Sequence, residues 1–97
     1  MSLEQLQTEH QRLSLLKALV DSGGESNESI LQSALVEYGL GCGRPKVRTM
    51  LTWLEEQGLV AVRDVSGYMV AAISQAGEDV AAGRSRVPGV KRPSPRF

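Results

Sequence analysis

The sequence predicts a mainly α domain with one β-hairpin, an α+β chain. Three observations carry this. Three stretches repeat apolar residues at helical spacing, and each runs into glycine. The period then changes to a run rich in β-branched residues, a Ser66-Gly67 turn and a returning run. Finally, 97 residues suffice for one domain and not comfortably for two.

The first helix is expected over residues 3–21. Leu6, Leu13, Leu16 and Val20 form its apolar stripe, widened by Leu3, Leu15 and Leu19. Ser22-Gly23-Gly24 ends it, because paired glycines give a turn its backbone freedom. Ser26 or Asn27 caps a second helix, with Glu28 at the positive end of its dipole. Its apolar face is Ile30, Leu31, Ala34, Leu35 and Tyr38. Three glycines in residues 39–43 mark a tight connection. The third helix spans about residues 44–57, with Pro45 in its first turn and Gly58 as its stop. Val47, Met50, Leu51 and Leu54 form its buried face.

Residues 59–65 and 68–73 read as the two strands of a hairpin, which needs a packing partner to be stable. Ser74 caps a short fourth helix to about Ala82, and Gly77 weakens it by ~1 kcal/mol relative to Ala. The domain is therefore placed at residues 1–83. Residues 84–97 form a basic, proline-containing tail with too few apolar residues to order itself. Helix, helix, helix, hairpin is the layout of a winged helix-turn-helix, with helices two and three as the helix-turn-helix and the hairpin as the wing. A protein-interaction domain shares that layout, so architecture alone does not settle function.

Composition narrows the classes. With 41% apolar and 23% charged residues the chain is globular and not fully disordered. No apolar run reaches the length of a membrane span, so no membrane partner is expected. The first residues carry no basic n-region and no apolar h-region, so no signal peptide is read. One cysteine and one histidine are too few for a Cys/His metal site, and no cofactor is expected. Cys42 reads as a small turn residue, and a lone cysteine suits a reducing cytosol. His10 reads as a half-buried histidine beside the first helix's stripe. Gly39-Leu40-Gly41-Cys42-Gly43 follows a helix and matches no nucleotide fingerprint. No catalytic constellation is present, so the chain is not expected to be an enzyme.

The net charge is zero, with 11 basic and 11 acidic residues, but it is unevenly divided. Residues 83–97 hold five basic residues and no acid, and the body carries the compensating −5. A second division lies within the third helix. Arg44, Lys46 and Arg48 crowd its start while Glu55 and Glu56 sit at its end, both against the helix dipole. A recognition helix has a reason for this polarity, since its first turns meet phosphates and guanine edges. Double-stranded DNA is thus the expected partner. Arg44 and Lys46 would contact phosphates, and Arg48, Thr49 and Thr52 would face the groove. Arg63 on the wing would touch the backbone. Arg84, Arg86, Lys91 and Arg92 in the tail would add affinity without sequence specificity. Trp53 reads as a partly buried aromatic packed on the wing or on a second subunit. A homodimer through residues 3–21 and a host or phage protein partner are the other expected associations. The alternative function is an adaptor or inhibitor of a host complex. If Arg44, Lys46 and Arg48 were tied to body acids, or buried by a second subunit, the DNA reading would fail.

The residues also carry a resemblance. The run 51–60 (LTWLEEQGLV), the wing run 67–70 (GYMV) and the helix start 73–77 (ISQAG) resemble winged-helix regulators of the broad ArsR/MarR-like type. With residues 79–84 (DVAAGR) and 87–93 (VPGVKRP), the chain is more narrowly similar to small proteins of Mu-like phages and prophages. Those proteins are named as DNA-binding candidates or as of unknown function, so the resemblance implies the winged-helix fold more than any activity, and with it the cytoplasm of a bacterial host cell. The paired cysteines and histidines of metal-sensing relatives are missing.

Overall fold

A computed structural model describes residues 2–94. They form seven elements: α1 (Leu3–Asp21), β1 (Glu25–Asn27), α2 (Glu28–Glu37), α3 (Arg44–Glu56), β2 (Val60–Val65), β3 (Tyr68–Ile73) and α4 (Gln75–Ala82). This is an α+β domain of four helices and one three-stranded antiparallel sheet among the described residues.

The helix ends follow local chemistry. Ser2 and Gln5 close a reciprocal capping box on α1. The Asn27 side chain accepts from the Ile30 amide and starts α2, and the Ser74 hydroxyl accepts from the Gly77 amide and starts α4. Gly83, at φ +82°, ends α4 in the left-handed conformation that glycine adopts without strain.

The sheet contains a strand that the sequence pattern does not announce. β1 pairs with β3, Ser26 opposite Ala71, and β3 pairs with β2 through Val62 opposite Ala71, giving the order β1-β3-β2. Glu25-Ser26-Asn27 has no apolar alternation. It is a strand because β3 supplies backbone partners, not because of its own propensity. The expected hairpin is therefore anchored by a third strand lying between α1 and α2 in the chain.

The core is aliphatic. Leu15, Leu16 and Leu19 of α1 meet Leu31 and Leu35 of α2, and Val47, Met50, Leu51 and Leu54 of α3. Leu59, Ala71 and Val80 close it from the hairpin and α4. The expected α1 stripe is corrected at its ends: Leu13, Leu16 and Leu19 are buried, but Leu3, Leu6 and Val20 are exposed. On α2, Leu31 and Leu35 are buried while Ile30 and Tyr38 face solvent. His10 is exposed rather than half-buried. No helix among the described residues is long and apolar enough to cross a membrane.

Residues 84–94 contain no helix or strand, yet they lie against the body. Val87 and Val90 pack on the core, and the Lys91 amide donates to the Glu9 carbonyl at 3.1 Å. The segment has too few apolar groups to order itself, and the body supplies the missing surface. Arg96 lies outside the described residues.

Candidate nucleic-acid interface

Two elements bring five of the ten expected site residues together: the first two turns of α3, with Arg44, Lys46, Arg48 and Thr49, and the β2–β3 hairpin, with Arg63. Their meeting point is a buried carboxylate. Glu28, in the first turn of α2, is 1% exposed. Its two oxygens accept from Arg48, Nε at 2.6 Å and Nη2 at 2.9 Å. The same carboxylate accepts from the Met69 amide of β3 at 2.5 Å, and Arg44 Nη1 lies 3.8 Å away. Arg48 Nη2 also donates to the Gly67 carbonyl in the wing turn at 3.0 Å. One carboxylate thus joins α2, α3 and β3. The hydrogen bonds from Arg48 hold its pKa down at about 2, against the opposing effect of burial and with help from the Met69 amide and the two arginine charges.

Arg44 is held one turn earlier. Its Nε donates to Gln32 Oε1 at 2.7 Å, and Gln32 Nε2 donates to the Cys42 carbonyl at 3.1 Å. The glycine-rich turn is therefore pinned to α2 through the same side chain that receives Arg44. Burial pushes the Cys42 thiol pKa up, partly offset by Lys46.

The expectation that Arg44, Lys46 and Arg48 stand free is corrected for two of the three. Arg44 and Arg48 are tied to Glu28, although both stay partly exposed, at 39% and 47%. Lys46 has no hydrogen-bond or ion-pair partner among the described residues. Thr49 is exposed, and its hydroxyl donates to the Pro45 carbonyl at 3.0 Å. Thr52 is exposed on the same outer face of α3.

Arg63 pairs with Glu25 across the sheet, not with its neighbour Asp64, whose carboxylate accepts from the Gly67 amide and shapes the wing turn. In the tail, Arg84 Nε donates to Asp79 Oδ1 at 3.0 Å, and Nη2 forms an ion pair with the same oxygen at 2.9 Å. Arg86, Lys91 and Arg92 are exposed with no acidic partner among the described residues.

Trp53 is half-buried as expected, but on a different surface. The Arg12 guanidinium stacks over its ring, 3.9 Å from the centroid, and Arg12 Nη1 donates to the Gly89 carbonyl at 2.9 Å. Trp53 therefore packs against α1 and the tail, not the wing.

The residues that sequence reasoning missed are Glu28 as a receptor for arginines, Gln32, and Arg12. A signal for the first two exists. Glu28 and Gln32 are four apart on α2, and Arg44 and Arg48 are four apart on α3. Matched i, i+4 spacing on adjacent helices lets two pairs meet side by side.

Among the described residues, no group of three His, Cys, Asp or Glu side chains is placed to hold a metal ion.

Comparison with known proteins gives a family. The chain is 49% identical over 89 residues to the uncharacterized protein gp26 of Escherichia phage Mu, covering 92% of this chain and 93% of that one. The chain belongs to the gp26 family of phage Mu. A second member, an uncharacterized protein of Haemophilus influenzae, is 47% identical over 76 residues, covering 77% of this chain and 74% of its own. The association with a phage protein expected from the sequence is thus established for the gp26 family. No family model matches the chain, and no solved structure matches it significantly.

Proposed function

We propose that this gp26-family protein is a winged helix-turn-helix DNA-binding regulator, with α2 and α3 as the helix-turn-helix and β2–β3 as the wing. The observation that carries this reading is the sheet order β1-β3-β2 with α2 and α3 inserted between β1 and β2. That topology seats the hairpin beside the first turns of α3, where a duplex in contact with the helix would also meet the wing.

The contacts differ from the simplest reading. Glu28 neutralises part of the charge of Arg44 and Arg48 and fixes their direction. Arg48 still has Nη1 without a partner among the described residues, so it can donate to a phosphate while held by Glu28. Lys46 supplies the unpaired positive charge of α3. Thr49 and Thr52 are the groove-facing polar groups. Arg63 is shared with Glu25 and adds little, as exposed pairs do.

A titration of the whole chain with random-sequence duplex at low and higher salt tests the reading. Binding that weakens steeply with salt, and weakens less steeply in Lys46→Ala, agrees with it. Absence of binding at low salt refutes it. It would instead favour a protein-interaction module, for which a specific observation speaks: α1 exposes Leu3 at 81% and Leu6 at 50%, with none of the described residues covering them.

A further inference from the structure

The cations of this chain divide by whether an acid holds them. Those of α3 and the wing are mostly held: Arg44 and Arg48 by Glu28, Arg63 by Glu25. Along α1 and the tail fewer are held, although Asp21 and Glu78 line one groove with Lys17. Lys17, Lys91 and Arg92 have no ion pair among the described residues. Lys17 stands seven residues after His10, hence on the same face of α1 and about 10 Å along it. Lys91 is brought to the His10 end of that face by the hydrogen bond from its amide to the Glu9 carbonyl, 3.1 Å. Partial shielding of the His10 ring, and then the charges of Lys91 and Lys17, lower its pKa. The acid on this turn, Glu9, acts on Arg12.

Lys91 and Arg92 are not carried on a free chain. The segment leaves α4 at Gly83 and returns to it, since Pro93 lies 3.5 Å from where a Cβ at Gly83 would stand. Between these points Gly89 is the seat. Its φ is +99°, and a Cβ there would stand 2.8 Å from the Trp53 ring and 3.1 Å from Arg12 Nη1. Only glycine lets the strap approach the stacked Arg12–Trp53 pair and offer its carbonyl to Arg12.

We propose that α1 and this strap form a second polyanion-binding face, on which Lys17, Lys91 and Arg92 grip the phosphate backbone of a duplex outside the first turns of α3. The proposal rests on the DNA-binding reading and adds a separate surface to it. A nucleic acid is the fitting partner because the cations come from two chain segments spread along α1. A continuous phosphate backbone spans such a spread, and a single carboxylate does not.

The test titrates random-sequence duplex into the full chain over a range of salt. The variant Lys17→Ala/Lys91→Ala/Arg92→Ala removes three phosphate contacts, so the slope of log affinity against log salt should become shallower by between about 2 and 3. The variant Gly89→Ala keeps every charge but unseats the strap, and should lose affinity in the same direction. Wild-type chain that does not bind at low salt overturns the DNA reading as a whole. Wild-type binding that the triple variant leaves unchanged overturns this face and leaves α3 standing. Full affinity in Gly89→Ala, with the triple variant impaired, also overturns the proposal, since the tail then acts as a loose polycation. Poly-glutamate that displaces the duplex charge for charge overturns it in favour of an acidic protein partner.

Discussion

Glu28→Gln tests the joint between α2, α3 and the wing. The substitution keeps the shape and one acceptor but removes the charge that receives Arg48 twice and the Met69 amide once. With the pKa held at about 2 against an ordinary 4.5, linkage bounds the contribution of this carboxylate at about 3 kcal/mol at neutral pH. That bound is too high for this geometry. The carboxylate is buried, but it lies just beneath two arginines that are 39% and 47% exposed and can be hydrated again when it is gone. A loss of roughly 2 kcal/mol is the reasoned figure. The sign in pH follows from a depressed pKa. The stabilisation is complete above the unfolded carboxyl's pKa and disappears as pH falls through the folded one. More than half of it should therefore be gone by about pH 3 and nearly all by about pH 2. Urea unfolding of both proteins at pH 7 and pH 3 measures this. The gap between them should shrink by more than half between those values. Equal stability at pH 7, or a gap that does not shrink in acid, refutes the reasoning. The same variant releases Arg48 and Arg44 and raises the net charge by one, so it should bind duplex more tightly than wild type.

Further outcomes follow from single positions. Gly77→Ala places a Cβ 2.2 Å from the Leu59 carbonyl oxygen and 2.7 Å from Ile73, so it should cost about 2 kcal/mol despite better helix propensity. A raised urea midpoint would contradict that packing. Asn27→Ala removes the α2 cap and should lose about 1 kcal/mol in the same assay. Cys42 should react with a disulfide reagent more slowly than a free thiol at mildly alkaline pH, because burial raises its pKa, and should reach the free rate in denaturant.

The elements that sequence reveals are those written in one stretch of chain. The apolar spacing of Val47, Met50, Leu51 and Leu54 and the glycine at 58 place α3 to within a residue. The turn at Ser66-Gly67 places the hairpin, and Ser74 places the start of α4. Gly77 looks like a helix defect in sequence and is a packing requirement in space. What stays hidden depends on partners far along the chain. β1 is three polar residues that become a strand only when β3 lies beside them, 41 to 48 positions later. Glu28 reads locally as a dipole-compatible residue, and its burial depends on Arg48 and Met69 arriving from other elements. The basic start of α3 is legible, but its partial neutralisation is not, unless the paired i, i+4 spacings on α2 and α3 are read together. The tail's charge is likewise legible, while its seat on Arg12 and Trp53 requires the fold.

The central claim is that the first turns of α3 and the wing meet a duplex. Amide NMR of the whole chain during addition of a short random-sequence duplex maps that surface residue by residue. The account predicts that the largest shifts fall at Lys46, Arg48, Thr49 and Thr52 and at the wing turn near Gly67. No shift at these positions under low salt, whether or not other residues respond, would contradict it.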